Sequence, residues 1–421
     1  MKSIQKNKFL SKNVILFLFA LSSSFSGFLG CSSKYDSNPA TVKFSWWGND
    51  ERAEYTLKGI EKFEAENPSI KIEPVYDSWS AYEKYFSQLF EKGDSADVMQ
   101  INFDWLDQFS PDGKNFYDLN ALSEYIDLYN FTMNDLSYGT ICGKLNAVPV
   151  AFNTAIPVYD LTFFEQNSLK IPATWDELFS LGKILKQKDM YVFTMSNRHI
   201  LFLAIAWFEQ TFSKKVFSPN GELNLNEEEL GKIFLFVKRL FKENVIYSPT
   251  KGIQIKALRE KKIVGAVLWS NEISLFINEL ESLGRKTVLG NFITTPDSRE
   301  SGWYLKPASM YAIKKDTKNP VEAAKFLNYL LNSQEFALLQ KNEKGVPAGN
   351  QSLTALMKNN LLESMQYSAL MKIRFNRSSI NPMLPVMEDN SVIKSFSENA
   401  FAFTLDKKTL AESVKDFKNF Q

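Results

Sequence analysis

Histidine is nearly absent from this chain. Among its 421 residues there is one, His199, and there are two cysteines, Cys31 and Cys142. One histidine leaves a Ser-His-Asp triad a single place to sit, and it excludes a zinc site built from several imidazoles. Glycine-rich phosphate loops and the HExxH and EF-hand spacings are missing too, which removes the usual signs of nucleotide hydrolysis, zinc proteolysis and calcium sensing. No cofactor and no metal is expected. Neither charge sign dominates: 49 Lys and Arg face 48 Asp and Glu. The lysines are scattered rather than clustered, so nucleic acid is not an expected partner. No apolar run after the first thirty residues is long enough for a membrane span. Internal repeats are absent. Aromatics, by contrast, are plentiful at 14%, with 35 Phe, 16 Tyr and 8 Trp.

The beginning of the chain has the form of an export signal. Lys2, Lys6, Lys8 and Lys12 precede the apolar run Val14 to Leu21, and small residues then lead to Gly30. A basic start, a short apolar stretch and a small-residue cleavage site make a secretory signal. Phe28-Leu29-Gly30-Cys31 is similar to the bacterial lipobox, in which the cysteine becomes the lipid-bearing N-terminus. The expectation is a lipoprotein signal peptide at 1–30, a lipidated Cys31 and a tether over 31–40. That arrangement places the folded part on the extracytoplasmic face of a membrane, held there through its N-terminal lipid. Cys142 is then alone and is expected to be a buried, inert thiol. The remaining length is too great for one hydrophobic core and suits two.

Periodicity outlines an α/β chain. Thr41 to Trp47 alternates as a strand and stops at Gly48-Asn49-Asp50. A helix with Leu57, Ile60 and Phe63 on one face ends at Asn67-Pro68, and a strand from Ile70 is expected to break at Pro74. Tyr82, Phe86, Leu89 and Phe90 mark a helix stopped by Gly93, and Asp97 to Ile101 is a third strand. This β-α-β-α-β order implies parallel strands covered by helices. Thr174 with Glu177, and Asn226 with Glu229, open further helices as capping pairs. Ile263 to Trp269 reads as a buried strand, Leu305 to Ile313 as another, and Asn319-Pro320 starts a helix. His199, in Ser196-Asn197-Arg198-His199 before Ile200-Leu201-Phe202-Leu203, is a polar residue where a loop enters a helix.

These residues carry a resemblance. Phe44-Ser45-Trp46-Trp47-Gly48 with Arg52 and Thr56, Gly93-Asp94-Ser95-Ala96-Asp97-Val98-Met99, and Ile171-Pro172-Ala173-Thr174-Trp175-Asp176-Glu177-Leu178 occur in order, followed by Asn319-Pro320 with Ala324-Lys325-Phe326-Leu327. The chain resembles the extracellular solute-binding proteins of carbohydrate ABC transporters, the maltose-binding-protein group, from about Val42 to Gly349. It departs from the family pattern at Tyr159-Asp160 and Ser168-Leu169. The resemblance implies a two-lobed periplasmic-binding-protein-like fold of type II, each lobe a mostly parallel sheet flanked by helices, with the ligand between lobes. The lobes are expected at 41–152 plus 266–306 and at 153–265 plus 307–421. The implied partners are a carbohydrate ligand and the permease subunits of an ABC importer, and the receptor is expected to act as a monomer and to catalyse nothing.

Sugars present hydroxyls at their rims and C–H faces to stack upon, so a site needs carboxylates or amides beside aromatic rings. Open parallel sheets bind beyond the carboxyl ends of their strands. That rule selects Trp47, Asn49 and Asp50 after the first strand, and Asp104 and Trp105 after the third. It also selects Trp269 and Asn271 after a later strand, with Trp303 and Tyr304 near a hinge. Trp46, on the opposite face from Trp47, is expected in the core. Asp104 could instead cap a helix, Trp175 belongs to a capping-box helix, and Trp79 with Tyr82 could seat another. Two other functions compete: a surface glycan-degrading lipoprotein working through two of Asp50, Asp104 and Glu272, and the same fold binding a polyamine or a peptide.

Overall fold

The computed structural model describes residues 38–247, 254–341, 343–345, 347–361, 365–375 and 380–420. The expected signal peptide, Cys31 and the tether as far as Ser37 lie outside the described residues. Strand β1 (Ala40–Trp47) pairs in parallel with β2 (Ile70–Asp77) and β3 (Val98–Ile101). The helix Asp50–Glu66 links the first two and buries Ile60 and Phe63. β2 does not break at Pro74 but continues to Asp77. It is the edge strand of the sheet, where a missing N–H is tolerated.

The hairpin of β4 (Thr140–Ile141) and β5 (Lys144–Leu145) turns through Cys142 and Gly143, both at positive φ. Cys142 is exposed there, not buried as expected; it occupies the tip of a surface turn.

β6 (Ala147–Asp160) is a 14-residue strand with every residue buried. It is followed by β7 (Tyr191–Thr194), β8 (Ile263–Trp269), β9 (Thr287–Leu289), β10 (Tyr304–Ile313) and β11 (Asn381–Pro382). The first half of β6 runs antiparallel to β10, and its second half runs antiparallel to β8 and β9. The resulting order is β2-β1-β3-β10-β6-β8-β7, parallel at both flanks and antiparallel through the middle.

Two main cores form along this path. Phe44, Trp46, Phe63, Val148, Phe152, Leu305, Tyr311 and Phe326 pack on one side of the first sheet, with Trp47, Tyr82, Trp105 and Met310 on its other face. Tyr159, Phe193, Phe208, Phe234, Trp269, Trp303, Tyr304 and Phe396 build the second core, with Ile156, Leu268 and Phe276 beneath its sheet. Membership changes between Phe152 and Ala155 on β6, and between Tyr304 and Leu305 on β10. The allocation of 266–306 to the first lobe and of everything after 307 to the second is therefore corrected. β8 pairs with the second half of β6 and with β7, so 266–304 pack in the second core. The strand that returns to the first sheet is β10, and Leu305 to Leu331 pack in the first core. Capping boxes at Thr174/Glu177 and Asn226/Glu229 open their helices as expected.

Candidate ligand-binding site

The alternation of β1 sends its two tryptophans to opposite faces. Trp46 is fully buried and stacks on Phe44 and Tyr76, with ring centroids 4.8 and 4.7 Å apart. Trp47 faces the other way and meets Trp79 at 4.9 Å, Tyr82 at 5.6 Å and Trp105 at 6.1 Å. Trp105 lies beyond the carboxyl end of β3 and is almost wholly enclosed, with Phe86 at 4.4 Å and Trp79 at 5.7 Å. Trp79 is the outermost ring of this wall and remains 40% exposed. Asn49 and Asp50 are occupied otherwise. The Asn49 side chain accepts the Arg52 N–H at 3.0 Å and caps the helix, and Asp50 is an exposed residue of its first turn.

Asp104 stands at the cap position of the short helix Trp105–Phe109 without capping it, because its own backbone is already helical. Its Oδ1 is enclosed and has no hydrogen-bond partner. Burial pushes the carboxyl up to about 6, while Lys306 pulls it down and Glu388 pushes it further up.

The facing wall comes from the second core and from β10. Trp269 ends β8 with its ring 5.3 Å from His199 and 5.6 Å from Phe202. Lys306 Nζ lies 4.8 Å from the Trp269 ring centroid and forms a buried ion pair with Glu388. Arg198 Nε approaches Glu388 at 3.5 Å, and its Nη2 donates to Asn390 Oδ1 at 3.1 Å. His199 is enclosed, with Nδ1 3.0 Å from Ser196 Oγ and Nε2 without a partner. Burial, reinforced by Arg198 and Lys306, lowers its pKa to about 3, so the ring is neutral. Glu272 has a raised pKa through burial, opposed by Arg198 and Lys306. Asn271 Oδ1 is another enclosed acceptor lacking a donor.

Lys306 ties the two walls together, since its charge acts on Asp104 from one side and on His199 and Glu272 from the other. A cavity of about 900 Å³ adjoins them, lined by Glu83, Asp104, Trp105, Asp107 and Asp389 among others. Trp303 and Tyr304 are not part of this group. Trp303 Nε1 donates to the Ile293 carbonyl at 3.0 Å, and the Tyr304 hydroxyl bonds to buried Glu209 at 2.7 Å. Both belong to the second core because β10 enters the first sheet only after them. Trp175 is also structural, its Nε1 donating to Gln210 Oε1 at 2.7 Å.

Residues 58–356 match the family of bacterial extracellular solute-binding proteins. The chain belongs to that family. Among curated relatives of this solute-binding protein is a multiple sugar-binding protein of Streptococcus mutans, 28% identical over 172 residues. That match spans 39% of this chain and 39% of the relative. Among solved structures is a periplasmic oligogalacturonide-binding protein from Yersinia enterocolitica in complex with saturated digalacturonic acid. It is 26% identical with a TM-score of 0.80, covering 90% of this chain and 97% of the other. A de novo designed cysteine esterase shares the fold at 26% identity and a TM-score of 0.82, covering 91% of this chain and 97% of its own. The family consists of binding proteins, and it is extracellular. This solute-binding protein accordingly works outside the cytoplasm and is not an enzyme. None of its described helices is long and apolar enough to cross a membrane.

Sequence reasoning selected Trp47, Asp104, Trp105, Trp269 and Asn271 here, passed over Lys306, Glu388 and Arg198, and undervalued Trp79. One signal was available: Lys306 is the only charged residue of β10, in the run Tyr-Leu-Lys-Pro-Ala-Ser-Met-Tyr-Ala-Ile. A lysine inside a buried strand requires a partner.

Proposed function

We propose that this solute-binding protein captures a sugar or oligosaccharide between its lobes and delivers it to the permease of an ABC importer. The observation that carries this reading is the pairing of a tryptophan wall, Trp47, Trp79 and Trp105, with enclosed acceptors that lack donors on Asp104 and Asn271. Rings receive the C–H faces of a sugar, and lone acceptors receive its hydroxyls. The multiple sugar-binding and oligogalacturonide-binding relatives support the same ligand class. Binding energy would close the lobes about β6 and β10 and create the surface that the permease reads. Lipidation at Cys31 would hold the receptor, as a monomer, beside its permease.

The test is a thermal-shift screen of the purified protein against mono- and oligosaccharides, polyamines and peptides. A saccharide at about a hundredfold above its Kd adds about 2.7 kcal/mol of stability and raises the melting temperature by roughly 2 °C or more. A shift confined to polyamines or peptides, or no shift with any saccharide, overturns the reading.

A further inference from the structure

We infer that the ligand is a saccharide without carboxylates, and that Asp104 and Glu272 turn away its carboxylated counterparts. This rests on the sugar reading above and adds to it the charge class of the ligand. The fold leaves that class open, since one relative of the same fold is bound to a digalacturonic acid. The side chains of this chain decide it.

Both cations of the site are already engaged. Lys306 is 7% exposed, paired with Glu388 and laid over Trp269. Arg198 is shared between Glu388 and Asn390. His199, with its lowered pKa, supplies no positive charge. A ligand carboxylate would have to displace Glu388 from its partners and leave that residue buried without a counter-charge.

Acceptors predominate among the enclosed atoms of the site without a partner, Asp104 Oδ1, Asn271 Oδ1 and Glu388 Oε1, beside the donors Arg198 Nε and His199 Nε2. Among the described residues neither Asp104 nor Glu272 has a salt bridge. The adjoining cavity repeats the pattern: four carboxylates line it, from Glu83, Asp104, Asp107 and Asp389, and no Lys or Arg does. A hydroxyl donates to such atoms. A carboxylate has only acceptors to offer and meets like charge.

The experiment is calorimetry on the purified protein with matched pairs: galactobiose and digalacturonate, cellobiose and cellobiouronate, and the cationic glucosamine dimer beside them. The expected result is binding of a neutral or cationic member, with the acidic counterpart at least about a hundredfold weaker. Asp104→Asn and Glu272→Gln, singly and together, should shrink that gap to about tenfold or less, and the melting temperature of each variant shows that it is folded. An acidic member binding as tightly as its neutral counterpart, or a gap unchanged in all three variants, overturns the inference. Failure of every saccharide to bind, with a polyamine or peptide binding instead, overturns the sugar reading itself.

Discussion

Trp105 stands beyond the end of β3 and Trp269 ends β8, and the two are held by different forces. Trp105 is wedged among rings, with Trp47, Trp79, Tyr82, Phe86 and Phe109 all within 6.2 Å centroid to centroid. Trp269 has a ring neighbour in Phe202, but its other close companions are His199 and the Lys306 ammonium. The first wall is an apolar stack that gains stability in proportion to the area it hides. The second is a charge network that contributes less net stability and fixes where each polar group points. A ligand between them would rest on one wall and be read by the other.

Breaking the stack should cost most. Trp105→Ala empties a fully packed position, and a loss of about 3–5 kcal/mol is expected, read from the urea midpoint. A loss below about 1 kcal/mol would mean that the wall is not a packed core. Next comes the network. Lys306→Met leaves Glu388 buried with only Arg198 near its charge, and about 3 kcal/mol should be lost. Lys306→Met with Glu388→Met should recover most of that loss, since both charges then leave together; if the double variant is as weak as the single, the pair is not what holds this wall.

Trp79→Ala should separate binding from stability. Its ring is 40% exposed, so folding should weaken by less than about 1 kcal/mol while saccharide affinity falls by about tenfold. The reverse pattern in calorimetry and melting would remove Trp79 from the site.

The smallest effect concerns pH. Asp104 has a folded pKa of about 6 against an ordinary value of 3.8. The folded protein therefore holds this proton more tightly than the unfolded chain. Stability from this group is greatest below the ordinary value, declines as pH rises towards about 6, and is constant above that. Asp104→Asn should stabilise the protein at pH 7 and change little near pH 4. An equal effect at both values would place Asp104 in solvent.

Much of the fold could be read from local pattern. The strands at Thr41, Asp97 and Ile263, and the helices opened by Thr174 and Asn226, follow alternation and capping chemistry that needs no distant partner. What escaped was set by distant pairing. Whether β8 or β10 returns to the first sheet depends on which half of β6 each one meets, and the local pattern of neither strand states that. The tryptophans at the ends of β3 and β8 were selected by the strand-end rule, which needs only local sequence. Glu388 was not, because its meaning comes from Lys306, 82 residues away. Tyr304 misled for the same reason: its partner Glu209 lies 95 residues away.

The interleaving of the two cores also governs the order in which this protein can be completed. The first sheet needs β10 between β3 and the early half of β6, so a growing chain that has delivered everything up to Asp160 still has an open edge there. That edge must wait while the whole middle segment is made, roughly ten seconds or more at ordinary synthesis rates. During this interval an apolar strand with all fourteen residues destined for burial lacks its neighbour, which makes it a natural target for a holding chaperone.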